Sequence, residues 1–161
     1  MNRPLALYTD IVRSAWIDYN HHMMDGYYAV AFSHATDALL DYVGLDAAYR
    51  TRSNCSVYTL EGHILYLHEL KANAPLRFTT QLLGYDAKRM HLFHTLYHAD
   101  EGFMAATCEW MMLHVDVIQG RGAPMPATVQ GRLAAIYAEH SNLPWPSQAG
   151  RSLSLQTKAK K

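Results

Sequence analysis

Charge is scarce in this sequence, and neither sign is in excess. Charged residues make up 17% of the 161 residues, and fourteen Lys and Arg balance fourteen Asp and Glu. A chain without net charge generates no long-range field that attracts nucleic acid or an anionic membrane, so neither partner is expected. Any anionic ligand must be held by local contacts.

Cysteine and long apolar runs are also scarce. The two cysteines, Cys55 and Cys108, lie in apolar, strand-like runs without metal-ligand spacing, which predicts reduced core thiols. Near the first residue, Asp10 and Arg13 interrupt the apolar positions, so the sequence predicts neither a secretory signal nor a membrane span. We therefore expect a cytoplasmic protein.

Apolar residues, by contrast, make up half of the chain. A chain of this length and composition can bury a core without disulfides, and it is too apolar to be disordered or collagen-like. Its length fits one domain of ordinary size. We predict a single domain over residues 1–140 and a mobile C-terminal tail over residues 141–161.

The spacing of apolar residues predicts the order of the secondary structure. β-branched and aromatic residues over 5–17 indicate a first strand that ends at Asp18. Apolar positions recur every three or four residues over 26–43, which is typical of one helix face, with Asp25 as a candidate N-cap and Gly44 as the stop. Four closely spaced strands and then a shorter helix are predicted over 55–69, 75–86, 89–99, 103–118 and 126–139.

These elements predict an α+β fold. We expect the last four strands to form a meander, and the five-stranded antiparallel sheet to wrap around the long helix. Both alternating sets of residues in the last strand are largely apolar, so this strand should be covered on both faces. One helix covers little of such a sheet, and an edge strand needs a partner. A homodimer, or a dimer of dimers, in which sheets join is therefore expected.

The segment between the first strand and the long helix carries the candidate chemistry. Asp18 stands at the predicted strand end, and the helix entrance follows at Asp25. Backbone amides at a helix N-terminus can polarise a carbonyl oxygen, while Asp18 can attack the carbonyl or activate a water. On spacing alone, the alternative is that Asp18 caps the loop and that His21 and His22 are solvated.

The sequence WIDYNHHMMDGYY, from Trp16 to Tyr28, resembles the signature of hot-dog-fold acyl-CoA thioesterases of the 4-hydroxybenzoyl-CoA type. In that signature a strand-end Asp is followed by Gly-His, an Asn and, ten residues after the Asp, a helical Tyr. Asp18, His22 and Tyr28 match it. The resemblance implies a hot-dog fold, catalysis by Asp18 with a lesser role for His22, and substrate contact by Tyr28.

Similarity extends over residues 8–126, through HATDALLDYVGLDAAY, YTLEGHILYL, DAKRMHLFH and MMLHVD followed by APMP. These stretches resemble the betainyl-CoA thioesterases associated with L-carnitine dehydrogenase, encoded beside it or fused to it. The resemblance implies hydrolysis of a small cationic acyl-CoA, betainyl-CoA, to glycine betaine and coenzyme A in carnitine degradation, without a metal or cofactor. Two alternatives stay open: a thioesterase for aromatic or fatty acyl-CoA, and a non-catalytic acyl-CoA-binding regulator on the same fold.

Two positions depart from the signature. His21 stands where it has Gly, and Met24 where it has Asn. Gly permits a positive φ, whereas His is tolerated there only with strain, so we expect a different loop shape and an undefined oxyanion donor. A His side chain at the mouth of the site can also contact substrate, which makes His21 a candidate binding residue.

Asp18-Tyr19-Asn20 is also similar to the Asp-x-Asn-x-x-His motif of hot-dog enoyl-CoA hydratases. In those enzymes the Asp and the His share acid–base work on a water. Here the spacing fails by one residue, because the fifth position after Asp18 is Met23, which cannot transfer protons. The sequence therefore favours a thioesterase over a hydratase.

Further candidates are charged. Glu61 and His63 share a face of a predicted strand, where Glu61 can orient a water or meet a cationic substrate, or both can simply face solvent. Lys88 and Arg89 stand at a predicted hairpin tip, where they can hold the phosphates of coenzyme A, although hairpin tips are often basic for solubility alone.

Aromatic and histidine clusters complete the candidates. A few of Trp16, Tyr19, Tyr27 and Tyr28 can form a cage for a quaternary ammonium, against the alternative of core or dimer packing. The three histidines over 91–98 have offsets of three and four, which suit metal ligation on a helix. Their segment is a predicted strand, in which the first two face opposite ways, so no metal is expected.

Overall fold

The computed structural model describes residues 3–155, which form six strands, three α-helices and one 3₁₀ helix. In chain order these are β1 (Thr9–Ile11), the 3₁₀ helix (Ser14–Trp16), α1 (Asp25–Val43), α2 (Ala47–Ser53), β2 (Cys55–Tyr66), β3 (Pro75–Tyr85), β4 (Arg89–His98), β5 (Met104–Asp116), β6 (Arg121–Gly122) and α3 (Ala127–His140). The predicted long helix, four long strands and C-terminal helix are confirmed. The seven-residue α2 and the two-residue β6 are additions to the predicted set.

The strands form one antiparallel sheet in the order β1-β3-β4-β5-β2, with β6 paired to β5. β3, β4 and β5 form a meander as predicted, but β2 pairs with β5 and not with β3, so the four-stranded meander is wrong at its first strand. The connection over 67–74 explains the difference, because it crosses the end of the sheet. Its backbone is bonded to other parts of the chain there, where the Met23 N–H donates to Leu70 O and the Asn73 N–H to Val12 O (both 2.8 Å).

α1 lies against one face of the curled sheet. Phe32 of the helix packs edge-to-face on Phe78 of β3, with ring centroids 5.8 Å apart. Beside this pair the fully buried His94 bridges helix and sheet, because its ring nitrogens lie 3.0 Å from Thr36 Oγ1 and 2.9 Å from Thr80 Oγ1. Burial lowers the pKa of His94 to about 3, so this imidazole is neutral. The arrangement is the hot-dog fold implied by the sequence resemblance.

The predicted first strand over 5–17 is wrong in its extent. β1 covers three residues, and beyond it the Val12 N–H donates to Ala74 O at 2.9 Å. The chain then turns through the 3₁₀ helix, which buries the Trp16 side chain under the loop that follows. The apolar residues of this segment correctly predict that it contains buried side chains. The backbone that buries them, however, is a turn and not a strand.

The predicted limits of α1 are correct at its C-terminal end only. Gly44 is the C-cap, with φ at 91°, a left-handed conformation that glycine adopts without strain. At the other end Met24 is the N-cap residue, so Asp25 is not the cap but the first helical residue. The Asp25 carboxylate accepts the N–H of the next residue, Gly26, at 2.8 Å.

β5 is buried on both faces, as predicted. Its outer face meets part of the segment 141–161 for which a mobile tail is predicted: the Gly150 N–H donates to Glu109 Oε2 at 2.7 Å, and the Trp145 ring lies against a β4 histidine. Residues 156–161 lie outside the described part. The domain boundary at residue 140 and the mobility of the tail stay predictions.

Cys55 is half-buried and Cys108 is fully buried, and both are free thiols. Burial raises the pKa of the Cys108 thiol well above its ordinary value. In the described part of the chain, none of the helices has the length and apolar character needed to cross a membrane.

Candidate active site

Asp18 stands at the start of a tight loop between the 3₁₀ helix and α1. Ile17 and Met23 form an isolated antiparallel bridge that closes the loop. Inside it the Asp18 N–H donates to His22 O (3.1 Å), and Asp18 Oδ1 accepts the backbone N–H of Asn20 (2.8 Å). This Asx turn, formed by the sequence Asp-Tyr-Asn, fixes the carboxylate at the loop entrance.

His21 takes a left-handed conformation in this loop, with φ at 65°. The signature has Gly at this position, and the structure shows the backbone conformation for which Gly is suited. The His21 side chain is exposed and is not among the residues that line the neighbouring cavity. Its predicted contact with substrate stays a prediction.

A cavity of about 520 Å³ opens between the Asp18 loop, the start of α1 and the end of β2. It is lined by Asp18, Tyr19, Asn20, His22, Met23, Met24, Asp25, Tyr28, Tyr66, Leu67, His68 and Glu69. The fold thus brings together the three residues that match the signature and adds residues from the end of β2, which lie far away in the sequence.

The first turn of α1, which lines this cavity, has a free backbone donor. The Gly26 N–H is bonded to the Asp25 carboxylate, and the Tyr27 N–H donates to Met24 O at 3.0 Å. Within residues 3–155, however, the backbone N–H of Asp25 has no acceptor. The first N–H groups of a helix lack intrahelical partners and point along the positive end of the helix dipole. This group can therefore hold a carbonyl oxygen that becomes negative.

Tyr28 and Tyr66 form the wall opposite the loop. Tyr28 is buried, and its ring packs edge-to-face on Tyr66, with centroids 5.2 Å apart. Burial raises the pKa of Tyr28 to about 12, so its phenol stays neutral. The Tyr66 hydroxyl donates to the backbone oxygen of Asp25 at 3.3 Å, which ties the end of β2 to the start of α1.

His22 faces the rim of the cavity. Its Nε2 lies 3.5 Å from Glu69 Oε1, and Lys71 Nζ lies 3.5 Å from Glu69 Oε2. Glu69 and Lys71 are largely exposed, so these contacts add little to stability. They do place the His22 ring and the Lys71 ammonium beside the Glu69 carboxylate.

Residues 12–133 match the model of the Thioesterase-like superfamily. The chain belongs to this superfamily. A Pseudomonas aeruginosa protein named betainyl-CoA thioesterase is 42% identical over 155 residues, which cover 96% of this chain and 98% of that protein. An L-carnitine dehydrogenase/betainyl-CoA thioesterase from Rhizobium meliloti is 43% identical over 92% of this chain and 30% of its own length. A Staphylococcus aureus protein solved in complex with CoA superposes with a TM-score of 0.88, at 30% identity, over 95% of this chain and 97% of that one.

Two residues of the predicted aromatic cage are not in the cavity of this superfamily member. Trp16 is buried and stacks on Tyr27, with ring centroids 5.5 Å apart, and the Arg13 guanidinium lies 4.7 Å above the Trp16 ring. Trp16 and Tyr27 therefore pack beneath the loop. Tyr66, which does line the cavity, was not a sequence candidate, because it comes from the far end of β2 and no local pattern links it to Asp18.

The other charged candidates also lie elsewhere. Arg89 pairs with Leu113 of β5, whereas Tyr66 pairs with Ala106, seven positions along the same strand. At about 3.3 Å per residue, Lys88 and Arg89 are roughly 23 Å from the cavity of the same chain. Arg89 also forms an ion pair with Asp86 at 2.7 Å, and backbone and side-chain donors around Asp86 lower its pKa.

Glu61 and His63 line a smaller cavity at the middle of β2, on the outer side of the sheet. His91 Nε2 lies 2.7 Å from Glu109 Oε1 there, and His94 points to the opposite face, towards α1. The predicted strand is confirmed for this histidine segment. Within residues 3–155, no group of three or more His, Cys, Asp or Glu side chains could hold a metal ion.

Proposed function

We propose that this protein is a thioesterase that hydrolyses betainyl-CoA to glycine betaine and coenzyme A. The observation that carries the proposal is that Asp18, with its carboxylate, and Asp25, with its free backbone N–H, line the same cavity. One group can activate a nucleophile and the other can hold a carbonyl oxygen, which is what thioester hydrolysis requires. The relative named betainyl-CoA thioesterase, 42% identical over nearly the whole chain, supports the acyl group.

Two routes are open to Asp18. As a general base it takes a proton from water, the water oxygen attacks the carbonyl carbon, and the C–S bond breaks as the thiolate takes that proton. As a nucleophile it attacks the carbonyl carbon itself, the thiolate leaves, and water then hydrolyses the mixed anhydride. In both routes the carbonyl oxygen becomes negative, and the Asp25 N–H at the positive end of α1 stabilises it.

A substrate panel tests the proposal. Free thiol is followed with a thiol reagent for betainyl-CoA, for an aromatic acyl-CoA and for a long-chain acyl-CoA, each across a range of concentrations. We expect kcat/KM to be highest for betainyl-CoA. Higher values for the aromatic or fatty ester would select the alternative specificity, and the absence of thiol release from every ester would leave an acyl-CoA-binding regulator.

The active form is a homodimer joined through β2. This strand is the sheet edge, twelve residues long, and its central residues are exposed. Tyr58 and Leu60 are 50% and 55% exposed. A long, exposed edge strand with apolar side chains pairs with another chain unless something covers it. A second copy can add its own β2 in the antiparallel direction and so continue the sheet.

Such a dimer explains how Lys88 and Arg89 can serve the site. Antiparallel pairing of two β2 strands places the Cys55 end of one beside the Tyr66 end of the other. The residues of β4 and β5 near Cys55, among them Arg89, then approach the cavity of the second copy. We propose that these two cations bind the phosphates of coenzyme A across the dimer.

The proposed substrate also indicates the compartment and the metabolic role. Coenzyme A esters are intracellular metabolites, and the two free thiols suit a reducing compartment. We therefore propose that the protein acts in the cytoplasm, in the degradation of carnitine. Fractionation of cells that produce the chain is the check, and recovery in a membrane or extracellular fraction would contradict it.

A further inference from the structure

The cavity lining is acidic. Three of its twelve residues are carboxylates, namely Asp18, Asp25 and Glu69, and no Lys or Arg is among the described residues that line it. A coenzyme A ester brings several phosphate charges, which these carboxylates repel. They complement a positive charge instead, and in the proposed substrate that charge is on the acyl group.

Two of the three carboxylates already have a proposed catalytic role or a basic neighbour. Asp18 accepts the backbone N–H of Asn20, and the Asp18 carboxylate is the proposed base or nucleophile. Glu69 lies beside His22 and Lys71. Asp25 accepts one backbone N–H, and within residues 3–155 no Lys, Arg or His lies within ion-pair distance of it. Its charge is the one available to a ligand.

Tyr66 lies beside Asp25, since its hydroxyl donates to the Asp25 backbone oxygen at 3.3 Å. The residue is 52% exposed, although its ring packs on Tyr28 and its hydroxyl is bonded to the Asp25 backbone. An aromatic ring held in place at both ends, yet open to the cavity, is pre-organised for a cation above its face. A trimethylammonium group cannot donate a hydrogen bond, so a ring face and a carboxylate are the attractions available to it.

We infer that Tyr66 and the Asp25 carboxylate bind the quaternary ammonium of the acyl group, with Tyr28 holding the Tyr66 ring. The inference rests on the proposed function and names the residues that select its acyl group. It replaces Trp16 and Tyr27 of the predicted cage, because those two rings pack beneath the loop.

The length of the acyl group supports this assignment. In betainyl-CoA a single methylene separates the carbonyl carbon from the nitrogen. The backbone N–H that holds the carbonyl oxygen and the carboxylate that meets the ammonium both belong to Asp25, so a ligand this short can reach both. An acyl group with three methylenes between the same two atoms cannot fit both contacts without folding back.

The experiment compares betainyl-CoA with its neutral isostere, 3,3-dimethylbutyryl-CoA. The ratio of the two kcat/KM values, divided by the ratio of the hydroxide-catalysed rates, isolates recognition of the charge. The wild-type protein should show a corrected ratio of about 5-fold to 30-fold. Asp25→Asn and Tyr66→Leu should bring it to within about threefold of unity, whereas Tyr66→Phe, which keeps the ring, should retain it.

Two further variants make the comparison specific. Glu69→Gln tests whether the other rim carboxylate carries the selectivity, and it should leave the ratio unchanged. Tyr42→Leu removes an exposed tyrosine from α1, away from the cavity, and should change neither rate. Melting curves of all variants show whether each one folds. A lower kcat/KM for 4-trimethylammoniobutyryl-CoA, which has three methylenes, is the check that needs only the wild-type protein.

The outcomes separate the two proposals. Wild-type protein that hydrolyses neither ester would overturn the proposed function. Wild-type protein that prefers betainyl-CoA, with the same corrected ratio in Asp25→Asn and Tyr66→Leu, would overturn this ammonium site and leave the function standing. Loss of the ratio in Glu69→Gln alone, or equal rates with the longer cationic ester, would also overturn it.

Discussion

At one end of the sheet the cavity is lined by Asp18, Asp25 and Glu69, whereas the opposite end carries Lys88, Arg89 and Arg121. Asp86 and Asp116 also lie at the opposite end, which keeps a net positive charge. We refer to the two as the acidic end and the basic end. A betainyl ester of coenzyme A has the same polarity, because its acyl group is cationic and its nucleotide is anionic. In one chain the two ends lie roughly 23 Å apart.

The charges at the two ends are the reason for proposing that a second copy completes the site. Antiparallel pairing of two β2 strands brings the basic end of one copy to the acidic end of the other. In the proposed dimer, each of two equivalent sites would receive its chemistry from one chain and its phosphate contacts from the other. A chain that is active as a monomer, or whose basic end has no effect on binding, would contradict this dimer.

Separation of the two copies is expected to have the largest effect. Leu60 lies at the middle of β2, so Leu60→Lys places two like charges close to the dimer axis. Loss of apolar burial in both copies and the new repulsion should weaken association by about 10²-fold or more. Sedimentation velocity across a dilution series measures this, and specific activity should fall with the dimer.

Val30→Lys is the matched control, since Val30 is exposed on α1 rather than on β2. It should sediment like the wild-type protein. A Leu60→Lys variant that remains dimeric, or a fully active monomer, would rule out the β2 interface.

A smaller effect is expected from the basic end. Lys88→Ala and Arg89→Ala each remove a charged contact to phosphate, so KM should rise by about 5-fold to 20-fold while kcat stays nearly constant. The rise should shrink at high salt, because the contact is exposed. Betainyl-pantetheine, which lacks the nucleotide phosphates, is the matched substrate. An equal rise in KM with this ester would show that the two cations do not bind phosphate.

At His94, which lies between the two ends, we expect an effect on stability and almost none on catalysis. Its pKa is lowered to about 3 by burial, so the unfolded chain binds a proton near pH 6.5 that the folded chain does not. Stability is therefore complete above about pH 6.5 and is lost as the pH falls towards 3, by about 2 kcal/mol between pH 7 and pH 5. Urea unfolding at the two pH values measures this loss.

His94→Gln should flatten that dependence while the His63→Gln control keeps it, because His63 lies outside the buried network. Neither the wild-type protein at pH 5 nor the folded variant should change its preference among acyl groups. A steep loss of stability that survives in His94→Gln would assign the acid sensitivity to other groups.

Local patterns were sufficient to predict the elements themselves. The three- and four-residue spacing before Gly44 predicts α1, and alternation with turn residues predicts the four long strands. The position of β2 could not be predicted, because strand order depends on where the chain over 67–74 crosses the sheet. α2 is short, and its clearest signal is Asp46, whose carboxylate caps the helix by accepting the Tyr49 N–H.

The site residues likewise separate into those that nearness in sequence predicts and those that it does not. Asp18, His22 and Tyr28 follow one another closely in the sequence and do meet at the cavity. Nearness in sequence was misleading for Trp16, which turns into the core. Tyr66 reaches the cavity only because β2 ends beside the start of α1, which is a consequence of tertiary pairing.

The most direct test of the account is the turnover of Asp18→Asn on betainyl-CoA. The amide keeps the shape of the side chain and removes the charge that activates the nucleophile, so kcat should fall by about 10²-fold to 10⁴-fold with little change in unfolding. Asp37→Asn, at an exposed position of α1, should keep full activity. Full turnover in Asp18→Asn would contradict the account. In the wild-type protein, ¹⁸O from labelled water that enters the Asp18 carboxylate during a single turnover would select the nucleophilic route.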